Sequence, residues 1–124
     1  MEKERQVSLR ISRRHWESLI HELEYARRER QLVTYRALIE RVQLPAPAMA
    51  TLAAALEHLA VLDAREGRPL RSALVVSQSI TRLPRPGFFD CARRIGCFAG
   101  PSDGSADAAW HASEVARVFD EPQA

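Results

Sequence analysis

The chain has 124 residues, 46% hydrophobic and 27% charged, which suits one domain that buries a modest core without disulfides or metal. Its formal charge of +2 names no partner, but the charge is uneven: residues 1–100 carry 17 basic against 11 acidic side chains, and residues 101–124 set Arg117 against five acids. The first 30 residues are too charged for a secretory leader, no apolar run reaches the ~18 residues of a membrane span, and two cysteines fit a reduced cytoplasm. A cytoplasmic protein with no membrane partner is therefore expected.

In chain order, "RQVSLRIS" alternates Val7, Leu9 and Ile11 with Ser8, Arg10 and Ser12, which predicts a half-buried strand over residues 5–12. Ser12 is placed to cap a helix from 13 to about 29, whose apolar stripe is Trp16, Leu19, Ile20, Leu23 and Ala26. A short extended piece, Leu32–Val33, precedes a second helix capped by Thr34, with Leu38, Ile39 and Val42 inward and Pro45 as its stop. A third helix begins near Pro47 and buries Met49, Leu52, Ala53, Leu56, Leu59 and Ala60; Gly67 and Pro69 end it. On this third helix, Asp63 and Glu66 read as part of a solvated face.

"SALVVS" predicts a buried strand. Pro84 and Pro86 then exclude a central strand, and a fourth helix follows, with Phe88, Phe89, Ala92 and Ile95 inward and Gly96 at its end. "AGPSDGSAD" is turn chemistry. A last helix over 106–119 presents Ala108, Ala112, Val115 and Phe119 at helical spacing. There is no internal repeat or linker, so residues 1–124 form one domain: an N-terminal strand extension, a core over 13–96 and a C-terminal helix.

Enzyme constellations are weak. His15, His21, His58 and His111 show no metal-ligand spacing, and an exposed or capping role is expected for His15, His21 and His111. Cys91 lies near a helix start, where a thiol pKa can fall, but no histidine is near in sequence. Cys97 reads as a small core residue. One C-x5-C pair is not a zinc signature, and no phosphate loop or nucleophile elbow is present. No catalytic residue, metal or cofactor is expected.

Nucleic-acid binding has more support. The order helix, short strand, helix, helix, strand, loop over residues 13–86 is that of a winged helix-turn-helix, with Leu32–Val33 pairing to Ala73–Val76 and residues 78–85 as the wing. Arg65 to Arg94 is the densest basic run, with seven arginines against Glu66 and Asp90. It is either a phosphate footprint or a solvated arginine-rich surface. On the first reading Arg82 and Arg85 reach phosphates from the wing, Arg68 and Arg71 sit at its base, and Arg93 and Arg94 flank the fourth helix. The third helix offers Thr51, Ala54, Ala55 and Glu57, a poor set for reading bases. Residues 5–43 also resemble a ribbon-helix-helix repressor, in which Ser8, Arg10 and Ser12 would face the major groove, although "RERQLVT" lacks the usual glycine.

From "LVTYRAL" to "RRIG" the chain resembles a family of small bacterial proteins to which no activity is assigned, through T-Y-x-x-L, "GRPLRSALVVS" and "LPRPGFFDCARRIG". More distantly it is similar to the winged-helix domain of alkyltransferase-like proteins. That likeness sets Tyr35 near the DNA backbone, Pro69 near the family's proline and Val75–Val76 near its strand. "PLRSALVV" lacks the family's Cys and His-Arg, so the likeness implies a scaffold without alkyl transfer.

The sequence thus predicts a mostly helical α+β fold, a winged helix-turn-helix-like domain with an added N-terminal strand and two C-terminal helices. The expected role is non-enzymatic binding of nucleic acid, DNA foremost, through Tyr35 and the arginines. The alternative is a protein-interaction module, adaptor or antitoxin-like, anchored by Trp16 or Trp110. Exposed strand edges leave a homodimer open.

Overall fold

The computed structural model describes residues 11–122, and the expected strand over 5–12, with Ser8 and Arg10, falls largely outside them. Helix α1 (Arg13–Glu29) starts where expected because the Ser12 hydroxyl accepts the His15 N–H at 3.1 Å. Leu19, Leu23 and Ala26 face inward. Strand β1 (Val33–Thr34) leads directly into α2 (Tyr35–Val42), and Thr34 serves both: its hydroxyl accepts the Ala37 N–H at 3.1 Å. Helix α3 (Ala48–Arg65) follows the proline-rich turn. Its buried side includes Ala55, Leu59 and Asp63, while Met49 points to solvent, so the inward stripe is rotated from the one expected.

After Gly67, which closes α3 at φ 71°, the chain enters the centre of the molecule. The segment expected to be one strand is instead a 3-10 turn (Arg71–Leu74) followed by the two-residue β2 (Val75–Val76). β2 pairs with β1 in parallel, Val33 opposite Val75 and Thr34 opposite Val76. That pairing is the expected one, shifted by a residue at β1. The molecule is therefore mostly helical with a small two-stranded parallel sheet. Residues 77–85 form a loop held by the Ser77 N–H to the Leu83 carbonyl (2.9 Å) and the Arg82 N–H to the Ser79 carbonyl (3.1 Å).

Pro86 opens α4 (Pro86–Arg94), and α5 (Asp107–Phe119) returns across the 3-10 turn. The main core joins α1, α2 and α3 to the sheet through Leu19, Leu38, Leu52 and Val75. Each such fully buried side chain contributes about 1.5–3 kcal/mol. A second cluster gathers Phe89, Cys91, Ala92 and Phe98, with Phe88 and Trp110 against it. The Phe98 and Trp110 rings stack with centroids 4.7 Å apart. Trp110 is thus built into the fold and is not a free anchor. Gly100 is required here, since a β-carbon on it would lie 2.4 Å from the Phe98 ring.

Helix α5 is rolled from its expected orientation. Ala108 and Ala112 are exposed, and His111, Glu114 and Val118 are buried. The cause is the backbone of the central turn. Residues 70–74 run through the interior without a sheet ladder, and buried amides need partners. The Glu114 carboxylate accepts the Leu70 N–H at 2.7 Å, and His111 Nε2–H donates to the Ala73 carbonyl at 2.8 Å. A carbonyl only accepts, which assigns the His111 proton to Nε2. Burial holds this ring below its ordinary pKa, while the Ala73 carbonyl works against the shift. His111 is therefore a neutral core residue, contrary to the exposed role expected.

Candidate nucleic-acid interface and cleft

The predicted site arginines divide into two sets. Arg68 and Arg71, expected at the base of the wing, point into the molecule. Asp63 is completely buried on α3, not solvated as expected. Arg71 grips it with Nη2 to Oδ1 at 2.7 Å and Nε to both oxygens at 3.2 Å, while its own backbone N–H reaches Oδ2 at 3.0 Å. Arg71 Nη1 continues to Glu24 at 2.9 Å. Arg68 binds Glu121 through Nε and Nη2, each at 2.8 Å, and reaches Glu24 at 3.3 Å. Arg27 completes the network with Glu24 at 2.7 Å and the Glu121 carbonyl at 3.0 Å.

The network ties α1, α3, the 3-10 turn and the C-terminal end together. Burial pushes the Glu24 carboxyl up, but the guanidinium groups of Arg27 and Arg71 outweigh it and hold it below its usual value. Arg71 loses basicity to burial and regains more from Asp63 and Glu24. The Glu121 carboxylate does the same for Arg68. These two arginines, expected to contact phosphates, are occupied by internal carboxylates.

Arg93 is occupied as well. It bonds the Gly100 and Pro101 carbonyls at 3.1 and 2.9 Å, pairs with Asp90 and Asp107, and lies over the Phe98 ring. It fastens the loop between α4 and α5. Arg94 is exposed, 3.6 Å from Glu57, which is also exposed. Ser12 caps α1 and hydrogen-bonds His15.

Of the remaining candidates, Tyr35 and Arg85 lie together. Arg82 and Arg85 are exposed on the loop between β2 and α4, with no carboxylate partner among the described residues. The Arg85 backbone N–H donates to the Tyr35 hydroxyl at 2.9 Å, and its guanidinium lies 6.0 Å from the Tyr35 ring centroid. Burial pushes the Tyr35 phenol above its usual pKa, the Arg85 N–H pulling the other way, so the hydroxyl keeps its proton. A shallow hollow beside them is lined by Tyr35, Arg36, Ser77, Gln78 and Arg85. The sequence reading missed Arg36. The available signal was its place next to Tyr35 in the first turn of an amphipathic helix, where it must face outward if Tyr35 faces in.

On the other side of Tyr35 lies a deeper cleft of about 670 Å³. Its walls are α3, through Ala50, Ala53 and Leu56, and the start of α4, through Gly87 and Phe88; Ser72 and Cys91 also line it. No histidine joins the lining. Burial raises the Cys91 thiol pKa, the Glu57 carboxylate adds to that, and the neutral thiol is a poor nucleophile. Cys97, expected in the core, is exposed. Among the described residues no group of three or more His, Cys, Asp and Glu side chains could hold a metal ion, and no helix is long and apolar enough to cross a membrane. No protein-family model matches this sequence, and comparison with curated proteins and solved structures finds no match.

Proposed function

We propose that the chain is a non-enzymatic nucleic-acid-binding protein, that its 13–96 core acts as a winged-helix scaffold, and that its working face is the loop over residues 77–85 with the start of α2. The observation that carries this reading is the sorting of the arginines. Arg27, Arg68, Arg71 and Arg93 satisfy internal carboxylates and carbonyls, whereas Arg36 and Arg85 are exposed beside Tyr35 and Arg82 is exposed on the adjoining loop, all three with no carboxylate partner among the described residues. An exposed guanidinium fork suits phosphate oxygens. The alanine-rich face of α3 makes base-specific readout through that helix poor, so the contacts are to the backbone and affinity is salt-dependent.

Fluorescence anisotropy with labelled duplex and single-stranded DNA tests this. Three phosphate contacts predict roughly 40-fold weaker duplex binding between about 50 and 200 mM salt. Converting Arg36, Arg82 and Arg85 together to alanine abolishes the salt-sensitive component. No binding at low salt, or wild-type affinity in the triple variant, refutes the proposal.

A further inference from the structure

We propose that Ile80 is an apolar wedge: on a DNA duplex it enters from the minor groove, slips between two base pairs and kinks the helix there. The proposal rests on the nucleic-acid reading above and names how that face holds a duplex. Exposure is the first argument. Ile80 is 100% exposed, where the next most exposed large apolar side chain among the described residues, Tyr25, is 49% exposed. Turns favour Gly, Pro, Asn, Asp and Ser for local backbone reasons, and an isoleucine supplies none of them. The loop's other apolar residues pack: Leu83 is half-buried and Pro84 is buried. Neither turn chemistry nor burial in the fold accounts for Ile80.

The second argument is that the loop holds this residue at a fixed tip. Ile80 and Thr81 are the central residues of a turn closed by the Arg82 N–H on the Ser79 carbonyl at 3.1 Å. The Ser79 and Thr81 hydroxyls bond each other across it at 2.9 Å. Below the tip, the Ser77 N–H donates to the Leu83 carbonyl at 2.9 Å, and the Arg85 N–H is tied to the Tyr35 hydroxyl at 2.9 Å. A preformed tip loses little conformational entropy on insertion.

Charge and size select the partner. Residues 77–85 hold Arg82 and Arg85 and no acid, and Arg36 is exposed next to Tyr35, so the apolar tip is set among cations. Stacked base pairs behind phosphates match that combination. An anionic bilayer shares it, but one isoleucine buries too little surface to anchor a chain there, whereas a kink needs a single wedge. A turn tip fits the ~6 Å minor groove, where such wedges act. One O–H of the Ser79–Thr81 pair remains free to donate, and the minor-groove edge of an A·T pair offers only acceptors. Pyrimidine–purine steps unstack most easily, so the preferred site is a TA step.

The test titrates the full chain into a duplex with a central TA step and 2-aminopurine beside it, read by anisotropy and by 2-aminopurine emission. Binding should raise the emission as the base unstacks, and energy transfer between dyes on the duplex ends should report a bend of at least about 20°. Ile80→Ala, at a fully exposed position, should weaken binding about tenfold and abolish both signals. It should leave the salt slope unchanged, because no charge is removed. Ile80→Leu should keep the affinity and both signals. Replacing the TA step by an A-tract should weaken the wild type and not Ile80→Ala. Salt-sensitive binding that ignores Ile80→Ala, or that comes with neither unstacking nor bending, overturns the wedge and leaves the phosphate-binding face standing. No duplex binding at low salt overturns both. Ile80-dependent binding to phosphatidylserine–phosphatidylcholine vesicles, with duplex binding indifferent to Ile80, overturns the wedge in favour of a lipid surface.

Discussion

Asp63→Ala is the sharpest perturbation of the fold. The native carboxylate is fully buried and receives three side-chain contacts from Arg71, the shortest 2.7 Å, together with the Arg71 backbone N–H at 3.0 Å. Removing it leaves a guanidinium that is only 10% exposed with Glu24 as its one remaining side-chain partner, and also orphans an amide at the entry to the 3-10 turn. Breaking a buried pair from one side costs about 3–5 kcal/mol. Set against a total stability of about 5–15 kcal/mol, that is a large share. The melting temperature should fall by roughly 10–20 °C. The double variant Asp63→Leu/Arg71→Met should recover most of the loss, because apolar residues of similar volume replace a buried pair at little net cost. Urea unfolding, with the slope checked for constancy, gives both numbers. A loss below about 1 kcal/mol for Asp63→Ala would refute the claim that this pair is a desolvated structural clamp. Unchanged stability with weaker DNA binding in Arg71→Ala would return Arg71 to the interface.

Three further outcomes follow from named contacts. Burial holds His111 below its ordinary 6.5, so the unfolded chain takes up its proton first and stability should decline as pH falls below about 6.5; Glu24, held below 4.5, adds a second decline at lower pH. His111→Gln keeps a donor for the Ala73 carbonyl and should remove the upper decline only; an unchanged slope in urea titrations at pH 5–6.5 would refute the assignment. Trp110→Ala should cost about 3 kcal/mol through its lost packing on Phe98, Phe88 and Phe89, measured by thermal unfolding, where an interaction anchor would leave stability untouched. Arg82 sits at φ 53°, which costs a non-glycine residue about 1 kcal/mol. Arg82→Gly should therefore leave stability equal or slightly higher while lowering the salt dependence of DNA binding by about one phosphate contact.

Sequence alone determined the features that depend on near neighbours in the chain. The caps at Ser12 and Thr34, the extent of α1 and the stop at Gly96 all rest on interactions within a few residues. The pairing of the residue 33 region with Val75–Val76 was legible too, because both were short apolar runs in the right order. What tertiary structure decided was the orientation of the polar residues whose partners lie far along the chain. Arg68 and Arg71 looked like Arg82 and Arg85, yet their carboxylate partners lie 8 to 53 residues away, a distance no local pattern encodes. Asp63 and His111 read as surface because apolar periodicity counts only apolar atoms. They are buried because the central 3-10 turn carries backbone groups into the core without a ladder, and these side chains pair with them. The cleft was invisible for the same reason. It is made of residues that α3 and α4 leave small, and a gap between helices exists only once they are packed.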